Sequence, residues 1–223
     1  NVAVGLSALY SNTEGVFNTA IGRTAMTGNT TGDYNTAVGF GTLDINKTGN
    51  QNTAVGSYAG PNTFDLISNS TSIGYLARAT ASNQVRIGNT LVTSIGGQVG
   101  WTTFSDGRYK RDIKEDVAGL AFINSLRPVS YTVDTKSLSA YLRKGMNNAG
   151  EEELNANKIS ADASSKIILD GFVAQEVEEA AKNLGFNFSG IDKPKTEDGL
   201  YGLRYDNFVV PLVKAVQELS KQN

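Results

Sequence analysis

Short apolar triplets recur along the first hundred residues, each set between asparagine, threonine and glycine. Asn1-Val2-Ala3-Val4-Gly5 returns as Asn18-Thr19-Ala20-Ile21-Gly22, Asn35-Thr36-Ala37-Val38-Gly39 and Asn52-Thr53-Ala54-Val55-Gly56, a period of 17 residues. A second glycine keeps that period at Gly15, Gly32 and Gly49, and a small-plus-apolar pair lies between: Ala8-Leu9, Ala25-Met26, Thr42-Leu43. The spacing then loosens through Ser72-Ile73-Gly74 and Val85-Arg86-Ile87-Gly88. Fixed-period similarity marks stacked repeats. Seventeen residues with glycine at two corners is too short for a helix pair and fits one coil of a β-roll. Asn, Thr and Gly are expected to turn the chain and form ladders along it. Each coil is expected to bury one Val or Ile, one Ala and one Leu or Met. So thin a core predicts that three chains join to complete it.

Beyond residue 105 the pattern changes. Val117, Leu120, Phe122 and Ile123 point to a helix from Asp116 to Leu126, stopping before Pro128. Val129, Tyr131 and Val133 alternate as in a short strand. Residues 134–167 are polar and loosely patterned, which fits either a surface loop or a projecting arm. From Phe172 to Leu184, Val173, Val177, Ala180 or Ala181 and Leu184 share one helical face. Over residues 206–222, Val209, Leu212, Val216 and Leu219 are spaced three, four, three. That spacing is an a/d seam for a coiled coil or a face packed on its own domain. The expected fold is an all-β repeat (a trimeric β-roll or β-helix-like stalk) followed by a mainly α (α+β) domain ending in a coiled-coil helix.

Composition sharpens the division. Of the 24 glycines, 15 precede residue 105, but only Glu14, Arg23, Asp33, Asp44, Lys47, Asp65, Arg78 and Arg86 carry charge there. The shift predicts a fibre segment over 1–96, a junction over 97–104 and a second domain over 105–223 with a terminal helix at 206–222. A net charge of −2 gives no electrostatic handle on nucleic acid. No apolar run reaches the roughly 20 residues that span a bilayer, so membrane insertion is not expected of these residues. Cysteine and histidine are both absent. Their absence removes disulfides, thiolate metal sites, the commonest metal ligand and the usual general base, and no cofactor or metal is expected. Catalysis would have to run on Ser, Thr, Lys, Tyr, Asp or Glu. The chain opens inside a repeat, which reads as a cut through a longer protein.

The junction carries the most informative chemistry. After Gly100-Trp101-Thr102-Thr103-Phe104 comes Ser105-Asp106-Gly107-Arg108-Tyr109-Lys110-Arg111-Asp112-Ile113. A serine and a lysine five residues apart form either part of a charged surface turn or a nucleophile with its base. Free lysine titrates near about 10.4, so a lysine base requires desolvation or a neighbouring cation such as Arg108 or Arg111.

Ser-Asp-x-Arg-x-Lys-x-Asp-Ile resembles the opening motif of the endosialidase-type intramolecular chaperone domain, also classed as peptidase family S74. That domain ends phage tailspikes and tail fibres and occurs in myelin regulatory factor. Gly171-Phe172-Val173-Ala174-Gln175-Glu176-Val177 resembles its second block, and Tyr205 to Leu219 its terminal helix. The Asn-Thr-Ala-Val-Gly repeats resemble the heads of trimeric autotransporter adhesins and similar repeats of phage fibres, at a longer period.

The resemblance implies self-cleavage of the Phe104–Ser105 bond, with Ser105 as nucleophile and Lys110 as general base. It implies that Asp106, Arg108 and Asp112 hold the turn and tune Lys110, while backbone N–H groups around Gly107 are candidate oxyanion donors. Glu176 is expected on a solvated face or touching the cleavage site. The implied partners are two further copies of the chain in a homotrimer and a cell-surface or glycan receptor for the whole fibre. The implied location is a virion tail or a bacterial surface, with the chaperone released on cutting. Two readings stand beside this one: a non-cleaving structural fibre tip with an inert motif, and a membrane-tethered regulator freed by the same cut. The β-roll repeats and the lack of a basic DNA-binding region argue against the second.

Overall fold

The computed structural model describes residues 1–62, 66–143 and 165–222. They fall into two compact units, Asn1–Ser94 with Thr132–Ile167, and Ile95–Tyr131 with Ile168–Asn223.

In the first unit the repeats wind into a solenoid of about five turns. Its strands are β1 (Val2–Val4), β2 (Thr19–Ile21), β3 (Thr36–Val38), β4 (Thr53–Val55), β5 (Gly60–Pro61), β6 (Thr71–Ile73), β7 (Arg78–Ala79) and β8 (Val85–Ile87). Six of them form one parallel sheet in the order β1-β2-β3-β4-β6-β8, while β5 and β7 pair in a second. Like pairs with like: Ala20 lies beside Ala37, and Ala37 beside Ala54. After β4 the regular step breaks. Thr53 pairs with Thr71, and Thr71 with Val85.

Two asparagine ladders hold the coils in register. The Asn35 N–H donates to Asn18 Oδ1 at 2.9 Å, and the Asn52 N–H to Asn35 Oδ1 at 2.9 Å. Asn18 Nδ2 donates to the carbonyl of Gly32 at 2.7 Å and Asn35 Nδ2 to that of Gly49 at 2.8 Å. A second ladder runs from Asn46 through Asn29 to Asn12, amide to amide. Asn29 and Asn46 add donors to the same two glycine carbonyls, at 3.0 Å each. Each of these buried carbonyls thus receives two hydrogen bonds, filling both lone pairs.

Glycine at these corners has a steric cause. A Cβ at Gly32 would sit 2.5 Å from both the Gly49 carbonyl and Asn29 Oδ1. At Gly22 it would sit 2.3 Å from the Gly39 carbonyl, on a backbone with φ of +134°.

The coil core differs from expectation. Ala20, Ala37 and Ala54 point inward with Met26, Leu43 and the asparagines. The strand Val and Ile residues point out instead. Val4, Ile21, Val55, Ile73 and Ile87 are 41–56% exposed and stack in register along the sheet. The cause is the asparagine beside the strand: its side chain takes the interior, and strand alternation places Ala inside and its neighbours outside.

The second unit contains a 3₁₀ turn at Gly107–Tyr109, then α1 (Leu120–Ser125) and β9 (Val129–Tyr131). Its later elements follow α2 (Thr135–Leu142), which packs in the first unit. They are β10 (Leu169–Gly171), antiparallel to β9, then α3 (Ala174–Asn183), the hairpin of β11 (Ile191–Asp192) with β12 (Gly202–Leu203), and α4 (Val209–Gln222). Phe122 is fully buried at the centre. Phe186, Phe188 and Phe208 surround it with ring centroids 5.2, 5.0 and 6.4 Å away. Val177, Ala180 and Ala181 of α3 close the cluster, while Val173 and Leu184 stay exposed at its ends.

The first helix begins at Leu120, not Asp116, because the chain at Gly119 packs directly on α4. A Cβ there would meet Lys214 Cγ and Glu218 Oε2 at 2.7 Å. Glu218 replaces the missing N-cap, accepting the Leu120 N–H at 2.7 Å. Of the segment 134–167, residues 144–164 lie outside the described residues.

Two substitutions probe these cores. Asn35→Ala leaves the buried Asn52 N–H without its acceptor, an expected loss of about 2 kcal/mol in the calorimetric unfolding of the repeat unit. An unchanged transition would remove the ladder from its place in coil stability. Phe122→Ala empties the aromatic centre and should cost the second unit about 3–5 kcal/mol, measured by denaturant unfolding.

Candidate functional site

The backbone first explains how Ser105 and Lys110 meet. Asp106 caps the 3₁₀ turn, its carboxylate accepting the Arg108 N–H at 2.9 Å. The Tyr109 N–H donates to the Asp106 carbonyl and the Lys110 N–H to that of Gly107. The turn reverses the chain. Lys110 Nζ then donates to Ser105 Oγ at 2.8 Å.

Charged neighbours brace this loop. Arg108 grips the Asp106 carboxylate in a fork, Nε to Oδ1 and Oδ2 at 3.1 and 3.0 Å and Nη2 to Oδ2 at 2.6 Å. The Arg108 side chain, then its backbone N–H, hold the Asp106 carboxyl below the usual carboxylate range. Arg111 Nη1 donates to the carbonyls of Arg108 and Lys110. Asp112 follows with φ of +51°, a left-handed bend that ends the loop. The N–H groups of Arg108, Tyr109 and Lys110 are thus engaged inside the turn, whereas that of Gly107 has no acceptor among the described residues.

The whole assembly stands in solvent. Ser105, Asp106, Arg108 and Lys110 are all exposed. So are the apolar side chains around them: Trp101, Phe104, Tyr109 and Ile113, with Phe104 at 102%.

Glu176 sits elsewhere. Arg127 reaches its carboxylate with two nitrogens, Nε to Oε2 at 3.1 Å and Nη2 to Oε1 at 2.5 Å. That hydrogen bonding holds Glu176 below the usual carboxylate range. Among the described residues no hydrogen bond or ion pair joins it to Ser105 or Lys110. Sequence spacing does not point to Arg127 as its partner, since 49 residues separate them.

The second block has a structural reason for its glycine. A Cβ on Gly171 would fall 2.2 Å from Tyr205 Oη, which accepts the Phe172 N–H at 3.1 Å. Burial, then the neighbouring Tyr205, raise the Tyr131 phenol above its ordinary value. Pro128, Val129, Asp170, Gly171, Phe172 and Tyr205 line an open cleft of about 500 Å³.

On α4, the residues facing inward are Pro211 and Ala215. The seam residues Val209, Leu212, Val216 and Leu219 are exposed. No helix among the described residues is long and apolar enough to cross a membrane, and no group of three or more acidic side chains there could hold a metal ion.

Comparison with known proteins bears on one part of the chain. Residues 105–186 match the Peptidase_S74 family model, described as the chaperone of endosialidase. Neither the curated proteins nor the solved structures yield a match. The matched segment opens on Ser105, the serine that Lys110 contacts, and runs through the second block and α3. Residues 105–186 are thus similar to the chaperone of endosialidase, with a β-solenoid standing ahead of that segment in the sequence.

Proposed function

We propose that this chain is the terminal part of a homotrimeric fibre whose chaperone domain guides assembly and then cuts itself off between Phe104 and Ser105. The observation that carries the reading is the 2.8 Å approach of Lys110 Nζ to Ser105 Oγ, a nucleophile beside its base.

In this mechanism a neutral Lys110 amine takes the Ser105 hydroxyl proton as Oγ bonds to the carbonyl carbon of Phe104. The C–N bond then breaks, and Lys110 returns the proton to the departing Ser105 amine. Water opens the resulting ester, leaving a carboxylate on Phe104 and restoring the Ser105 hydroxyl. Nucleophile and electrophile are adjacent in the chain, so positioning costs little once the turn forms. The Gly107 N–H is the turn's candidate donor to the developing oxyanion.

A lysine in water is protonated at neutral pH, and burial is what favours its neutral form. The exposed Trp101, Phe104, Tyr109 and Ile113 supply apolar surface that two further copies would cover, drying the dyad as they do so. The outward Val and Ile column and the α4 seam are two more surfaces suited to the same copies. Cutting would then follow assembly, and loss of the chaperone would leave the fibre kinetically trapped. The fibre would be displayed on a virion tail or a bacterial surface and would engage a cell-surface or glycan receptor. The exposure of the dyad also favours a second reading, a fibre tip in which the motif is inert.

A denaturing gel separates the two. The native chain should yield pieces 1–104 and 105–223, Ser105→Ala should stay whole, and Lys110→Met should cut more slowly by about 10²–10⁴-fold. A native chain that assembles into trimers yet stays whole overturns the cleavage.

A further inference from the structure

The 3₁₀ turn at Gly107–Tyr109 is only three residues long. Turns this short have poor hydrogen-bond geometry and little cooperativity, so they are weak by themselves. No apolar core shelters this one, because Tyr109 and the neighbouring Trp101, Phe104 and Ile113 are exposed. Side chains at its two ends must therefore hold it.

The first end is held by Asp106, whose carboxylate takes the Arg108 N–H at 2.9 Å. The second end leaves carbonyls that the turn itself cannot satisfy. Arg111 meets them, as basic side chains at the end of a helix can. Its Nη1 donates to the carbonyl of Arg108 at 2.8 Å and to that of Lys110 at 3.0 Å.

The backbone of Tyr109 and Lys110 runs between those two carbonyls. Lys110 is where the turn gives way to extended chain, with φ of −88° and ψ of 137°. Tying the carbonyls on either side fixes the direction in which the lysine side chain leaves. A lysine has a flexible four-carbon stem, so the place its amine occupies depends on that starting direction. Here the amine reaches Ser105 Oγ at 2.8 Å.

The two arginines of the loop divide the work. The Arg108 guanidinium is committed to the Asp106 carboxylate. Among the described residues no carboxylate lies within ion-pair range of Arg111, and its hydrogen bonds go to the backbone. Arg111 also stands at an open position of Ser-Asp-x-Arg-x-Lys-x-Asp-Ile, where the resemblance assigns no role.

We infer that Arg111 is a positioning residue of the proposed self-cleavage: by tying the carbonyls of Arg108 and Lys110 it aims Lys110 Nζ at Ser105 Oγ. This role rests on the proposed cleavage, whereas the clamp on the turn does not.

The experiment has two arms. In the first, cutting of the native chain and of Arg111→Met is timed on denaturing gels across a range of pH. Methionine keeps an unbranched stem and loses the donors, and it should slow cutting by about 10–100-fold at every pH. In the second, the uncut Ser105→Ala chain is compared with the same chain carrying Arg111→Met. Both should assemble alike on sizing, while hydrogen exchange over residues 107–111, read on the millisecond scale, should quicken by about threefold or more. An Arg111→Met chain that cuts at the native rate overturns the positioning role. So does one whose curve only slides to higher pH and there reaches the native rate, which is the mark of a lost charge alone. Failure of Arg111→Met to assemble also overturns it, because the arginine then serves folding. A native chain that never cuts defeats the proposed cleavage instead. The exchange arm still decides the clamp, and unchanged exchange there removes it.

Discussion

The solenoid rests on one arrangement: a glycine carbonyl at a coil corner filled by two asparagine amides. Gly32 and Gly49 are the clearest cases, each accepting from one asparagine of the strand ladder and one of the corner ladder. A coil this thin has few apolar contacts to fix its position on the next. The amides fix it instead, because each donates into or accepts from a neighbouring coil with little freedom in distance. Glycine must stand at the corner, since any Cβ would occupy the space of those same groups. The strict period follows from the chemistry. Where the next coil is one residue longer, a serine takes the ladder position, and the Ser70 N–H and Oγ both donate to Asn52 Oδ1.

The same arrangement decides what the coil shows to the outside. With asparagine and alanine inside, the strand's Val and Ile face outward and line up along the sheet. The second unit resolves its core differently. Six aromatic rings, Phe122 among them, link into one cluster within a single chain, while the face of α4 that carries Val209, Leu212, Val216 and Leu219 stays exposed. The Ser105–Lys110 pair is of the second sort in its geometry and of the first in its surroundings. The turn, clamped by Arg108 on Asp106, brings the two side chains together, but nothing dries them.

The repeats were legible because one residue type recurs at one spacing. Which way the strand faced was not. A three-residue strand has only two orientations, and the deciding fact was the interior asparagine, a residue ordinarily read as a turn former. The α1 boundary was missed because Gly119 is excluded from helix by contact with α4, nearly a hundred residues away. The helix at Thr135–Leu142 went unread for a related reason. Its inward face mixes Thr135 and Ser139 with Leu138 and Leu142, too short an apolar stripe for periodicity to single out. The Ser–Lys spacing could be noted in sequence, whereas the approach of the two atoms depends on a 3₁₀ turn and its carboxylate cap. Glu176 could be placed on a helix surface, but its partner Arg127 could not.

Within one chain, coil stacking is local. Paired strands of the sheet lie only 14 to 18 residues apart, so loop closure costs little and the coils can zip from any point. Between chains the situation reverses. In the proposed trimer the regular coils offer nearly the same outward pair, Thr with Val or Ile in three of them and Val2 with Val4 in the first, so a slip by one whole coil would keep most contacts and stay trapped. The degeneracy ends where the regularity ends. From Asn52 the ladder steps 18 residues to Ser70, and farther on Ser68 meets Ser82 after 14. Those irregular coils can match only their own counterparts, and they lie at the end of the repeat nearest the chaperone segment in the chain. A chaperone that gathers three chains at this end would start the zipper at its one unambiguous register, leaving the uniform coils to follow without a choice to make.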